Sequence, residues 1–174
     1  PAKVRKSNLE ELQQFYQKNL SKRAIQTPDQ SLNRYVNEYL ELQLKWVNEL
    51  DRGWPSDRRG TRDAAQDATG IVPVNEKLAR FRLIEILDSQ RQDGYCMRSY
   101  SVYGRFKPPA TSGHVDAGLW VWELARYYIY HSRDFNILKE KVYWLNSDKK
   151  TDVLDHLIQL FNYYLISDNI GEHG

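Results

Sequence analysis

The sequence predicts an all-α chain of helical hairpins in two layers. Three observations carry this. Apolar residues recur at three- and four-residue steps from Leu32 to Leu50. Similar stripes run over Asn75–Gln90 and Thr151–Ile166. Between them Ala117–Tyr130 is apolar on nearly every side, which predicts a helix buried on most sides with one-faced helices outside it.

Residues 1–30 carry no usable pattern and read as an N-terminal extension or linker before the helical segment 31–174. The first helix places Leu32, Tyr35, Val36, Tyr39, Leu40, Leu44, Val47 and Leu50 on one face, with Ser31 as its expected N-cap. Gly53 and Pro55 stop it, and Asp51–Arg62 is a polar loop. A short helix then spans Arg62–Thr69 and ends at Gly70. The next stripe is Leu78, Phe81, Ile84 and Leu87, capped by Asn75 and followed by an Asp93-Gly94 turn. Tyr95–Gly113 is irregular, and its length and aromatic content point to a functional loop. The last helix carries Val153, Leu154, Leu157, Ile158, Phe161, Tyr164 and Leu165, with Thr151 or Asp152 as its cap. With only a turn after it, the chain reads as a piece of a larger fold.

Composition narrows the function. The 25 Lys and Arg nearly balance the 23 Asp and Glu, a net charge of +2 that argues against nucleic acid or an anionic membrane as partner. No apolar run approaches the ~20 residues of a membrane span, and no secretory signal is visible, so the expected compartment is cytoplasmic. The one cysteine, Cys96, between Tyr95 and Met97, reads as a buried inert thiol. No Cys/His spacing suggests a metal, and there is no Gly-rich phosphate loop or serine nucleophile elbow.

Two constellations could carry chemistry. In Arg59-Gly60-Thr61-Arg62-Asp63-Ala64-Ala65-Gln66-Asp67, a guanidinium beside carboxylates and an amide suits sugar hydroxyls, which both donate and accept. Asp63 and Asp67 share a helix face, with Gln66 adjacent; on spacing alone the run reads first as a capped helix start with surface charges, against which the like charges four residues apart argue slightly. In Gly113-His114-Val115-Asp116-Ala117-Gly118-Leu119-Trp120, one carboxylate sits at the entrance to the most apolar helix. It can be an N-cap or a general acid. A helix N-terminus lowers a carboxyl pKa, so the acid role requires that desolvation by Trp120 and its neighbours, or a bound phosphate, push it back up. His114 is a ligand contact or a loop partner. His131 and His156 are structural or solvent-facing. Trp54, Tyr95, Tyr100, Tyr103 and Phe106 can stack on pyranose rings or simply pack loops.

The run Leu32-Asn33-Arg34-Tyr35-Val36-Asn37, Gln43, the Arg-Asp-x-x-Gln-Asp motif at 62–67, Asp116-x-x-Leu119-Trp120 and the closing Asn169-Ile170-Gly171-Glu172-His173-Gly174 resemble the catalytic domain of the cellobiose phosphorylase family over residues 30–174. The resemblance implies part of an (α/α)6 barrel of helical hairpins. It implies an inverting phosphorolysis of a β-glucoside or β-glucan to α-glucose 1-phosphate. Asp116 would be the single general acid and inorganic phosphate the nucleophile and co-substrate, with no further cofactor and no metal. Arg62 and Asp63 would hold the glucosyl unit, with Gln66, Asp67, His114 and Trp120 around the saccharide.

The partners implied are a β-linked gluco-oligosaccharide, phosphate and the rest of the same catalytic domain, often in a homodimer. Two features depart from the family pattern: Ala117 replaces a second acidic residue, and the acceptor-site and phosphate-site motifs would lie beyond Gly174. The segment alone is therefore expected to be inactive. Two other readings are an inverting hydrolase on the same barrel and a non-catalytic carbohydrate-binding helical module. The hydrolase needs a second carboxylate about 6.5–9.5 Å from Asp116, with Asp63 and Asp67 as candidates.

Overall fold

The structure, a computed structural model, describes residues 7–14, 24–50, 57–103, 115–145 and 147–166. The chain divides into two compact units, Pro1–Trp46 and Val47–Gly174. In the first, a short helix α1 (7–14) precedes α2 (Gln30–Arg34), which passes through a π-helical stretch, Tyr35–Leu40, into α3 (Glu41–Leu50), whose residues from Val47 on belong to the second unit. The cap of α2 is Asp29, not Ser31: its carboxylate accepts from the backbone N–H groups of Ser31 (2.8 Å) and Leu32 (3.2 Å). Asn33 and Asn37, one turn apart, pair with the extended chain before the helix. Each amide both accepts from and donates to one backbone residue, Thr27 and Ile25 respectively, at 2.8–2.9 Å. Of the predicted stripe, Val36, Leu40, Leu44 and Val47 are half-buried, whereas Leu32, Tyr35 and Tyr39 stand exposed. The predicted stop at Gly53 and Pro55 lies outside the described residues.

In the second unit, two arginines close the end of α3. Arg59 donates to the carbonyls of Asn48 and Glu49 at 3.2 Å, and Arg82 donates to that of Asn48 through Nε (3.0 Å) and Nη2. Cations at the last carbonyls of a helix satisfy orphan acceptors and oppose the negative end of its dipole. Strand β1 (Arg58–Gly60) pairs antiparallel with β2 (Ser99–Ser101), Arg59 opposite Tyr100, and leads directly into α4 (Thr61–Ile71). This helix starts one residue earlier than expected and runs through Gly70. Its buried face is Thr61, Ala64, Ala65, Ala68 and Ile71, and the small side chains let α5 and α6 approach closely.

Helix α5 (Glu76–Leu87) is capped by Asn75, whose side chain accepts from Leu78 N at 3.1 Å. Its buried face is Ala79, Arg82, Leu83, Ile86 and Leu87; of the predicted stripe Leu87 is buried, Leu78 and Ile84 are half-buried and Phe81 is exposed. The helix turns Arg82 inward because its guanidinium serves both α3 and Glu85 Oε2, at 2.7 Å. Helix α6 (Ala117–Ser132) buries Ala117, Gly118, Val121, Leu124, Ala125 and Tyr128, and Arg133 closes it in the left-handed conformation. As its apolar sequence predicts, α6 is covered on most sides among the described residues. The faces turned to α4, α5 and α7 are covered, while Leu119 and Tyr130 are exposed.

A five-residue 3-10 helix, Phe135–Lys139, leads to a hairpin the sequence reading did not anticipate, β3 (Lys141–Trp144) with β4 (Ser147–Asp152). Helix α7 (Val153–Leu165) starts at the Asp152 cap, reinforced by the Asp155 side chain accepting from Asp152 N at 3.2 Å. It buries Val153, His156, Leu157 and Leu160, while Leu154, Ile158, Phe161 and Leu165 of the predicted stripe are exposed. His156 is wholly buried: its ring stacks on Trp144 at 3.6 Å, Nδ1 lies 2.9 Å from Gln90 Oε1, and Nε2 lies 3.3 Å from Val142 O. Cys96 is buried, and burial pushes its thiol pKa up to about 12, which makes it inert at neutral pH. No helix among the described residues is long and apolar enough to cross a membrane.

Candidate active site

Asp116 stands at the N-cap position of α6 but does not cap it. Its backbone is in the right-handed helical region (φ −94°, ψ −3°), not the extended conformation that lets a cap side chain fold over the first free N–H groups. The carboxylate is used otherwise. Its Oδ2 accepts from the indole Nε1–H of Trp120 at 3.3 Å and from Arg62 Nη1 at 3.4 Å. Trp120 lies one helical turn further on, so its ring folds back over the start of α6. Arg62, the second residue of α4, is brought there by the packing of α4 on α6.

The start of α6 is braced from α7. The Tyr164 hydroxyl donates to Val115 O at 2.7 Å and accepts from Gly118 N at 3.2 Å, and so brackets Asp116 on both sides. Burial first, with Cys96 adding to it, pushes the Tyr164 phenol up to about 12, so it stays protonated and can donate. A Cβ at Gly118 would run into Leu160 Cδ1 and lie 2.9 Å from the Tyr164 oxygen, so these α7 side chains would have to shift to accept any other residue there.

The Asp116 carboxyl is held below its ordinary value. Desolvation is the largest single influence and raises it, but the Trp120 and Arg62 hydrogen bonds and the Arg62 charge together outweigh it. Beside a bound phosphate, desolvation is the influence expected to raise it, and in the unliganded chain desolvation does not prevail. The carboxylate is too open for that, with more than a third of its side chain exposed.

The structure thus brings Arg62, Asp116 and Trp120 together. Asp63, Gln66 and Asp67 follow Arg62 on α4, all half-buried. The Asp63 carboxylate folds back against Gly60, and Asp67 gives its carbonyl to Asn48 Nδ2 at 2.9 Å; neither hydrogen-bonds Asp116. His114, Trp54, Phe106 and the closing run 169–174 lie outside the described residues. Tyr100 is a packing residue, nearly fully buried with its hydroxyl donating to Glu85 Oε2 at 2.9 Å, and Tyr95 packs on Tyr163. Sequence reasoning missed the Tyr164 brace, because its partners lie 46 and 49 residues away.

Residues 15–174 match the family described as the glycosyl hydrolase 94 superfamily, catalytic domain. The chain belongs to this family, and its mostly helical fold is that of part of a helical catalytic domain. It is similar to the solabiose phosphorylase of Paenibacillus borealis, 27% identical over 151 residues, which are 87% of this chain and 18% of the relative. A 3-O-beta-D-glucopyranosyl-beta-D-glucuronide phosphorylase of the same organism is 24% identical over 153 residues, 86% of this chain and 19% of the relative. The cellobionic acid phosphorylase of Neurospora crassa is 24% identical over 129 residues, 73% of this chain and 16% of the relative. The chain spans under a fifth of the length of these relatives.

Proposed function

We propose that this chain is the acid-bearing part of an inverting glycoside phosphorylase, which converts a β-glucoside or β-glucan and phosphate to α-glucose 1-phosphate and a shortened saccharide. The carrying observation is the Asp116 carboxylate, turned away from its capping position and held by Arg62 and Trp120. The relatives, all named as phosphorylases, support the reaction class.

Asp116 donates a proton to the glycosidic oxygen as the C1–O bond breaks. Phosphate attacks C1 from the opposite face, and one inversion results. One protein carboxylate suffices, since phosphate takes the place of the base-activated water of an inverting hydrolase. The low pKa of the unliganded carboxyl is met on binding: a phosphate anion nearby disfavours ionisation, and Arg62 drawn onto a ligand no longer stabilises the carboxylate. Asp63, Gln66 and Asp67 supply further donors and acceptors for sugar hydroxyls.

The test is turnover of β-linked glucosides by the full-length protein with and without phosphate, with the product's anomeric configuration read by NMR. Turnover that needs phosphate and gives α-glucose 1-phosphate is expected. Glucose release without phosphate would make the protein a hydrolase, and saccharide binding without cleavage would make it a binding module.

A further inference from the structure

A groove of about 360 Å³ opens in the second unit where the turn at residues 91–94, the β3–β4 hairpin and α7 meet. It shares no residue with the Arg62–Asp116–Trp120 cluster. Its three walls are joined by one wholly buried residue, Gln90. The Gln90 side-chain Nε2 donates to Gly94 O of the turn and to His156 O of α7, both at 3.1 Å. Its backbone carbonyl accepts from Leu145 N, just after β3, at 2.8 Å. Gly94, at φ +92°, sets the turn directly against the Gln159 carbonyl, where a Cβ would collide. The groove is therefore held in shape before any ligand arrives, which favours binding.

The polar groups on these walls have bonding capacity to spare. The Thr151 hydroxyl is buried and has no hydrogen-bond partner among the described residues. Such an orphan is unfavourable, and a ligand hydroxyl would satisfy it. Lys149 and Gln159 use their side chains in no hydrogen bond or ion pair among the described residues. Asp155 Oδ2 accepts from Asp152 N at 3.2 Å, which leaves Oδ1 open. Asp155 and Gln159, four residues apart on α7, line the groove together with Ile158.

This lining selects a class of ligand. Lys149 donates, Asp155 accepts, and the Gln159 amide and Thr151 hydroxyl do both, which matches sugar hydroxyls. One cation and one anion balance, and Arg91 and Asp93 on the adjoining turn pair with each other at 2.6 Å, so a neutral ligand is favoured. Ile158, nearly half exposed, offers apolar surface to the C–H groups of a pyranose ring. Trp144 lines the groove but, stacked on His156 and nearly buried, is not itself a platform. The volume is at the small end for ligand pockets, room for roughly one or two sugar rings. We infer that the groove is a saccharide-binding site for a neutral oligosaccharide, with Thr151, Asp155 and Gln159 on its hydroxyls.

The experiment uses the full-length protein in phosphate-free buffer, with glucose and a β-1,4-linked glucose tetramer as probes. Its tryptophans are replaced by 5-fluorotryptophan, and the Trp144 fluorine signal is assigned by its loss in Trp144→Phe. Both sugars are expected to shift that signal, the tetramer at lower concentration. Thr151→Val and Gln159→Ala should each weaken the response about two- to tenfold. Neither should lower the thermal midpoint, since neither side chain has a hydrogen bond to lose, and neither should change KM for a short β-glucoside. A Trp144 signal that ignores both sugars would overturn the inference, and so would variants that respond like the parent. A shift with inorganic sulfate but not with sugar would make the groove an anion site at Lys149 and overturn it as well.

Discussion

The Arg62 guanidinium and the Asp116 carboxylate meet at 3.4 Å across 54 residues of chain, and each is more than a third exposed. An open pair of this kind contributes under about 1 kcal/mol to stability, so its main effect is on protonation. Arg62→Met is expected to raise the Asp116 pKa and carry the high-pH limb of activity upward. The stability effect has a definite sign. A carboxyl depressed in the folded state stabilises it above the unfolded pKa, and that contribution is lost as pH falls through the folded value. The small deficit of the variant should be present at pH 7 and shrink in thermal melts as the pH falls below the ordinary carboxylate range.

Tyr164→Phe removes the hydroxyl that holds Val115 O and Gly118 N. Loss of two hydrogen bonds at a half-buried helix start should cost about 1–3 kcal/mol in urea unfolding. It should also lower kcat, because the backbone on both sides of Asp116 is released. A variant of wild-type activity would show that α7 does not set the acid's position.

His156 gives the fold an acid sensitivity. Burial lowers its pKa to about 4, opposed weakly by the Val142 carbonyl and Asp155. The unfolded chain therefore binds more protons than the folded one between about pH 4 and 6.5. Stability should be full above this window, decline through it and level off below, by at most about 3 kcal/mol. His156→Gln should flatten that slope in urea midpoints measured from pH 7 to 4.5, even if it lowers stability overall. An unchanged slope would assign the sensitivity to other groups.

Arg82 ties α5 to the end of α3 and to Glu85, which also accepts from Tyr100. Arg82→Met leaves a nearly buried carboxylate and a helix-end carbonyl without this cation. A loss of about 3–5 kcal/mol in chemical denaturation is expected.

The helices were legible wherever a cap or a stripe spoke for itself. Asn75 and Asp152 cap as read, and the short helix at 61–71 lies close to where the Arg-Asp-x-x-Gln-Asp run put it. Which face is buried was less legible. Periodicity assigned Phe81 to the core, yet Arg82 took that side, because a guanidinium can be buried when helix-end carbonyls receive it. The β3–β4 hairpin was missed because Ser147–Asp152 is polar, and its burial comes from Val142 and Trp144 on the other strand. At the site, Asp116 and Trp120 could be singled out from one motif. Their joint use of one carboxylate oxygen with Arg62 depends on how α4 packs on α6, which spacing along the chain does not encode.

The central claim, that Asp116 protonates the leaving oxygen, is tested most directly by changing how much the leaving group needs a proton. Asp116→Asn in the full-length protein would be compared with the parent on a natural β-linked glucoside and on 2,4-dinitrophenyl β-glucoside, both with phosphate. A loss of about 10²–10⁴-fold on the natural substrate, with a far smaller loss on the dinitrophenyl glucoside, is the expected result. Equal losses on both, or none on either, would contradict it.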